Sequence, residues 1–273
     1  MNKRQIKFRK MHGAGNDFIL VDNRDAIFPH TDIEWIAAIC NRRTGIGSDG
    51  LILIENSEIA SFFMRFYNPD GREADMCGNG ARCVARFAYD LGIALENTEF
   101  ETRAGKVSAI ITDQDVTIGM PDPKNIRRGL DIEALGQVWK INKINTGVPH
   151  AVIKVNDVNG IDLQGIGAAI RYHEAFMPDG TNVNFIQVLD AHTLKIRTYE
   201  RGVEAETLAC GTGAVASALT TALDEFACDP VTIISAGNVQ MSVGFAKQSD
   251  SFRKVTLTGP AVHVFEGVVE YLY

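Results

Sequence analysis

Residues 65–92 read RFYNPDGREADMCGNGARCVARFAYDLG, and residues 197–225 read RTYERGVEAETLACGTGAVASALTTALDE. Arg65 and Tyr67 precede Cys77 much as Arg197 and Tyr199 precede Cys210, at almost the same distance. Each stretch reads as a strand, a turn, a Cys-Gly-Xaa-Gly loop and a helix, and such self-similarity constrains the architecture before any local detail does. The helices are predicted from period alone. Val84, Phe87, Ala88 and Leu91 fall at i, i+3, i+4 and i+7 with Gly92 as the stop, and Val215, Ala218, Leu219, Ala222, Leu223 and Phe226 do the same before Asp229 and Pro230. Both are expected to be amphipathic core helices.

Outward from these two segments lie short β-rich runs separated by turn residues: IKFRKM, FILVD, LILIE, FFMRFY, FETRAGKVSAIIT and VTIGM, then HAVIKV, VNFIQVL, TLKIRTYE, VTIIS, VQMSVGF, KVTLTG and VHVFEGVVEYLY. Many short strands with one central helix per half predict an α+β fold of two pseudo-symmetric halves, each a curled, mostly antiparallel sheet or barrel around its helix. The two prolines of MPDPKN at 120–125 mark the seam. The N-terminal half is expected over 1–120, completed by the C-terminal strand at about 264–273, and the C-terminal half over 121–263. A cleft between the halves is the expected binding site.

Composition narrows the partners. In 273 residues with 45% hydrophobic content there is room for two cores. The net charge is −7 with scattered basic residues, which gives no footprint for nucleic acid or an anionic membrane and favours a small-molecule partner. The basic start, MNKRQIKFRKMHGAG, has no apolar stretch for a signal peptide, and no later run approaches a membrane span. Five cysteines without a CxxC argue against a disulfide framework and against a zinc site, and point to a reducing, cytoplasmic compartment. The sequence admits a homodimer without specifying one.

A cysteine at a helix N-terminus meets the positive end of the helix dipole and unpaired backbone N–H groups, which favours the thiolate. The glycines let backbone approach a ligand, and the N–H groups beyond them can hold a carboxylate. Inverting a stereocentre beside a carboxylate needs one group to remove the α-proton and another to deliver a proton to the opposite face. One thiolate and one thiol can trade those roles. Cys77 and Cys210 fit that use through their duplicated frame, whereas Cys40, Cys83 and Cys228, in apolar or helical surroundings, read as small buried hydrophobes.

MHGAGNDF (11–18), GIGSDG (45–50), CGNGARC (77–83), PHAV (149–152), NVNF (182–185), TYERG (198–202) and ACGTGA (209–214) together resemble the diaminopimelate epimerase family, in the family's order over nearly the whole chain. The resemblance implies an epimerase that interconverts LL- and meso-diaminopimelate without pyridoxal phosphate, metal or other cofactor, on the path to lysine and peptidoglycan. It implies Cys77 and Cys210 as the acid/base pair and His150 and Glu200 as the polar pair near the reacting centre. Gly78, Asn79, Gly211 and Thr212 match the helix-start cradle for the reacting carboxylate and amine, and Asn16, Asn68, Asn184 and Arg201 match the polar residues for the distal end. Arg suits a carboxylate fork, and amides suit an ammonium-carboxylate pair.

Three departures fall at the distal end. Val148 stands where the family commonly has Asn before PHAV, Gly50 where many members carry Gln, and RGVEAET is one residue longer than the usual segment. Two other readings remain open on sequence alone: a same-fold racemase or isomerase acting on another amino acid, and a thiol redox-sensing protein with a reversible Cys77 to Cys210 disulfide. A non-catalytic amino-acid-binding module would not need both cysteines.

Overall fold

The computed structural model describes residues 3–272. Its contacts divide the chain into two compact units: one runs to Ile118 and takes up the chain again from Gly259, and the other is Gly119–Thr258. The first contains β1 (Lys3–Gly13), β2 (Asn16–Asp22), α1 (Ile33–Cys40), β3 (Leu51–Glu55), β4 (Phe63–Tyr67), β5 (Glu73–Ala74), α2 (Gly78–Asp90), β6 (Asn97–Thr102), β7 (Gly105–Ile111) and β8 (Asp115–Gly119). The second contains β9 (Lys124–Ala134), β10 (Gln137–Asn145), β11 (Pro149–Lys154), α3 (Leu163–Arg171), β12 (Asn182–Asp190), β13 (Thr193–Glu200), β14 (Ala205–Thr207), α4 (Gly211–Leu223), β15 (Val231–Ile234), β16 (Gln240–Gln248) and β17 (Ser251–Pro260). The last strand, β18 (Val262–Leu272), pairs with β1 in the first unit.

The two units repeat one pairing scheme. In the first, β18–β1 and β1–β2 are antiparallel, β2–β3 parallel, β3–β4 and β4–β5 antiparallel, β4–β6 parallel, and β6–β7 and β7–β8 antiparallel. In the second, β9–β10 and β10–β11 are antiparallel, β11–β12 parallel, β12–β13 and β13–β14 antiparallel, β13–β15 parallel, and β15–β16 and β16–β17 antiparallel. Thus β18 does for β1 what β9 does for β10, although they come from opposite ends of their units' sequence. Every parallel pair is bridged by a helix, as a parallel crossover requires. The α+β, mostly antiparallel duplication expected from sequence is the fold observed.

Each sheet has a helix on both faces. In the first unit α2 packs on β1, β2, β3, β4 and β7, while Ile36, Ile39 and Cys40 of α1 cluster with Leu51 and Leu53 on the other face. LILI in β3 is therefore buried throughout, because alternate residues serve two cores. In the second unit α4 packs on β10, β11, β12, β13, β15 and β16, and α3 joins Trp139, Ile153, Phe185 and Tyr199. Every residue of α4 except Thr212 is buried, so this helix is enclosed rather than amphipathic. Thr220 and Thr221 satisfy their hydroxyls on the carbonyls of Ala216 and Ser217, which lets them sit inside.

Some sequence expectations are corrected here. Among the described residues there are four α-helices, two in each unit rather than one, together with β9 and β10, which no run above contained. Leu91 and Phe226 lie just past their helices and are exposed. The helix period continues beyond the point where Gly92, at φ 70°, and Glu225, at φ 63°, turn the chain away. Phe226 lies under the Lys154 ammonium, 3.3 Å from the ring centre. Cys228 is exposed, whereas Cys40 and Cys83 are buried as expected.

Candidate active site

In the first unit the site is built on the tip of the β1–β2 hairpin and the start of α2. Ala14 and Gly15 both have positive φ, 57° and 88°, the geometry of the tightest hairpin turn. The turn presses on the helix start, since a Cβ at Gly13 would lie 2.8 Å from the Asn79 carbonyl oxygen. Cys77 is the N-cap of α2 in extended conformation, and its sulfur does not cap its own helix. The thiol instead approaches Asn16 Oδ1 at 3.7 Å, and Asn79 Nδ2 donates to the same oxygen at 3.2 Å.

Asn16 is itself aimed by charge. Its Nδ2 donates to Asp49 Oδ2 at 2.7 Å, which turns Oδ1 toward Cys77 and Asn79. Asp49 is paired with Arg42 at 2.6 Å, and Arg42 also reaches Asp17, whose other oxygen pairs with Lys10 at 2.7 Å. Burial alone would raise the Asp17 carboxyl, but Arg42 and Lys10 outweigh it and hold it well below the usual range. Asp17 and Asp49 lie within the quoted motifs, yet their role as supports of Asn16 depends on pairings 33 residues apart that no local pattern displays.

The second unit repeats the helix start. Cys210 N-caps α4 in extended conformation without capping it through sulfur, and its Sγ lies 3.5 Å from Thr212 Oγ1. Helix geometry leaves the first N–H groups after both cysteines without intrahelical acceptors. The matching ion pairs Arg65–Glu73 (2.8 Å) and Arg197–Glu206 (2.7 Å) brace the two turns that lead to the cysteines. The Thr146 hydroxyl, from the turn between β10 and β11, donates to the Thr212 carbonyl at 2.9 Å and anchors the second loop.

His150 and Asn184 form one buried unit. Asn184 Nδ2 donates to the Ala151 carbonyl at 3.1 Å, which fixes the amide's orientation, while Oδ1 accepts from the Thr198 hydroxyl at 3.0 Å. The same Nδ2 lies 3.0 Å from His150 Nδ1, so Nδ1 accepts and the ring proton sits on Nε2. Nε2 is buried and makes no hydrogen bond within the protein. Burial, and then the Arg201 charge, push His150 down to about 3 from an ordinary value of 6.5, so the ring is neutral. Asn184, expected at the distal end of a ligand, has no exposed surface and all its amide groups engaged. Its amide contacts His150, the Ala151 carbonyl and the Thr198 hydroxyl.

A neutral buried His costs stability in acid. The unfolded chain binds this proton below about 6.5 and the folded chain only near 3, so the contribution of His150 is fully present above the upper value and is lost as pH falls through that window. Urea unfolding of wild type and His150→Gln is expected to show the smaller loss between these pH values in the variant. Parallel losses in the two proteins would contradict it.

The other expected site residues hold local contacts within their own units. Asn182 Oδ1 accepts from the Arg201 backbone N–H at 2.8 Å, and Arg201 Nη1 donates to the Asp179 carbonyl at 2.9 Å. Glu200 Oε2 accepts from the Thr207 hydroxyl at 2.7 Å. Asn68 is exposed at the turn after β4, held through its backbone to Arg72 and Gly71. Gly78 and Gly211 follow the two cysteines at the first positions of α2 and α4. Among the described residues, no three or more His, Cys, Asp or Glu side chains are grouped so as to hold a metal ion, and no helix is long and apolar enough to cross a membrane.

The family pattern described as diaminopimelate epimerase matches residues 8–126 and 143–264. The chain belongs to the diaminopimelate epimerase family. It is 39% identical to the diaminopimelate epimerase of Aquifex aeolicus over 97% of this chain and all of that protein, and 42% identical to that of Methanocella arvoryzae over 97% of each. Among solved structures, its fold is similar to a PhzF-family phenazine biosynthesis protein of Bacillus anthracis, with TM-score 0.76, 15% identity and coverage of 97% and 99% of the two chains. It is also similar to a hydroxyproline epimerase of Agrobacterium vitis, with TM-score 0.69, 17% identity and coverage of 98% and 93%.

The departures from the family's pattern acquire physical settings. A Cβ at Gly50 would lie 2.6 Å from the Phe66 ring and 2.7 Å from the Tyr67 carbonyl oxygen, so a longer side chain would require repacking. Val148 is half-buried on the turn whose Thr146 anchors the Cys210 loop. In the longer RGVEAET segment, Glu204 turns at φ 57° and pairs with Arg171 of α3 at 3.2 Å, tying that loop to the scaffold.

Proposed function

We propose that the protein interconverts LL- and meso-diaminopimelate without pyridoxal phosphate, using Cys77 and Cys210 as acid and base, in lysine and peptidoglycan-precursor biosynthesis. The observation that carries this reading is the pair of cysteines, each heading a glycine-containing helix start in its own repeat of the fold. One sulfur, as thiolate, takes the α-proton. The electron pair left on carbon spreads into the adjacent carboxylate, and the other sulfur delivers its proton to the opposite face. Thiolate and thiol have then exchanged, leaving the enzyme poised for the reverse reaction.

The backbone N–H groups that follow Cys77 and Cys210, from Gly78 and Asn79 and from Gly211 and Thr212, are the donors for charge building on that carboxylate. The His150 Nε2–H is a neutral donor beside the reacting centre, aimed by Asn184, and the Glu200 carboxylate is an acceptor suited to the α-ammonium. Asn16 and Asn68 supply amides and Arg201 the fork for the distal carboxylate. Arg201→Met is expected to raise KM for diaminopimelate about ten- to hundredfold, the range of a charged hydrogen bond, with little change in kcat. Steady-state kinetics on both isomers check it, and an unchanged KM would remove Arg201 from the distal site.

The substrate assignment is tested by a panel under reducing conditions: both diaminopimelate isomers, proline, hydroxyproline and amino acids with uncharged side chains. Diaminopimelate is expected to turn over fastest. Faster inversion of an amino acid that lacks a second charged end would contradict the assignment and leave the paired-thiol chemistry standing.

A further inference from the structure

The two units differ in how they fill the space beside their matching ion pairs. In the first, Arg103 completes the Arg65–Glu73 brace, reaching Glu73 at 3.0 Å and Asp75 at 3.4 Å. Strand register gives the corresponding positions in the second unit. Glu73 faces Tyr67 as Glu206 faces Tyr199, and Glu101 faces Phe63 as Ile234 faces Lys195. Ala236 therefore stands where the first unit has Arg103, and Ser235 where it has Thr102.

Beside the Arg197–Glu206 pair the second unit has a cleft of about 160 Å³, with Ala236, Ser235, Lys195, Asn159 and Asn238 in its lining. Its polar groups are unlike those of the filled space. Thr102 donates its hydroxyl to the Gly105 carbonyl at 2.8 Å, whereas the Ser235 hydroxyl is buried and makes no hydrogen bond within the protein. A serine hydroxyl turns about a single bond, so it can donate into the cleft without backbone movement. By the same register Gln187 replaces Glu55 and Lys195 replaces Phe63, while Leu208 replaces Asp75 two residues before the cysteine.

These exchanges change the sign of the local charge. Lys195 and Arg197 line the cleft against one carboxylate, and Arg197 already holds both oxygens of that Glu206, at 2.7 and 2.8 Å. Lys195 is half-buried and forms no ion pair or hydrogen bond among the described residues. Asp157, in the adjoining loop, accepts from the Asn159 backbone N–H at 2.9 Å and does not line the cleft. An unengaged ammonium, a hydroxyl without a partner and two amides, with positive charge in excess, form a donor set that suits an oxyanion.

We propose that this cleft binds a small oxyanion, a phosphate or a carboxylate, between the Lys195 ammonium and the Ser235 hydroxyl. The cleft adjoins the segment that carries Cys210. The Gly237 N–H, in the turn after Ser235, donates to the Leu208 carbonyl at 3.1 Å. A bound anion joins that turn to the Arg197–Glu206 brace. It uses neither thiol, so its binding is independent of the substrate assignment.

The test is titration of the pre-reduced, full-length protein with inorganic phosphate at neutral pH, with ionic strength held by potassium chloride and backbone amide shifts followed by NMR. Saturable shifts are expected at Ser235, Ala236 and Asn238. Lys195→Met should weaken the binding read there about ten- to hundredfold, the range of a charged hydrogen bond. Ala236→Glu, at an exposed turn position, should abolish it by placing a carboxylate in the cleft. If Lys195→Met does not fold, Ala236→Glu decides. A parallel titration with acetate separates the two sources: saturation by acetate alone assigns the cleft to carboxylates, and by phosphate alone to phosphates. The helix starts at Gly78 and Gly211 also attract anions, so shifts confined to them overturn the proposal. So do shifts at Ser235 that persist unchanged in Ala236→Glu, an equal response to chloride, or no saturation with either oxyanion.

Discussion

Cys77→Ala and Cys210→Ala are each expected to lower epimerisation by at least about a thousandfold, within the range that positioned acid and base groups contribute. The loss should appear in kcat, because each change removes a proton carrier while leaving the backbone donors of its helix start. Stability should be little affected. Neither sulfur caps its helix, and each is only partly buried, so removing one leaves no large cavity and no uncapped terminus. Cys→Ser should also lose most activity, since a hydroxyl is far harder to deprotonate than a thiol. Kinetics on both diaminopimelate isomers, with a thermal melt of each variant, check the pair of claims. Near-normal turnover in either alanine variant would contradict the use of two thiols.

Gly213→Ala is expected to cost about a hundredfold in turnover, the penalty that a misplacement of about 1 Å can impose on a reacting geometry. Its Cβ would lie 2.4 Å from Asn184 Oδ1 and 3.3 Å from Cys210 Sγ, so one methyl disturbs both the group that aims His150 and the sulfur itself. Asn184 cannot yield easily, being bonded on three sides, and a stability loss of about 1–3 kcal/mol is expected with the activity loss. The matching change in the other repeat, Gly80→Ala, meets the flexible end of Ile52 at 2.8 Å and should be milder. Equal effects in the two variants would show that Asn184 has no special part.

The legible part of this fold was the part written locally. Glycine and cysteine at two helix starts, with a 3.6-residue period behind each, displayed α2 and α4 and the duplication itself. The first turn of α3 was capped by Asp162, but glycines at 165 and 167 diluted its helical signal. Gly167 is required there because a Cβ would lie 2.7 Å from Tyr199 Cβ. Strand β9 lies mostly exposed and opens on the polar run KNIRRG, and only its last five residues, LDIEA, alternate, too short a signal beside the prolines before it. The role of Asn184 was hidden for another reason. It lies on a strand bonded on both sides, and its partners His150 and Thr198 come from the two neighbouring strands. Arg82 sits inside the quoted CGNGARC motif, and nothing in the sequence marks it as fully buried.

The direct measurement is proton exchange during inversion, by mass spectrometry and NMR on wild-type enzyme under reducing conditions in D2O. With LL-diaminopimelate and early sampling, the two-thiol mechanism requires the meso product to carry deuterium at the inverted centre from the first turnovers, while recovered LL substrate stays protonated. The removed proton rests on one sulfur, and the delivered deuteron comes from the other, already equilibrated with solvent. Product that retains the original proton, or inversion that proceeds undiminished after both cysteines are alkylated, would contradict it.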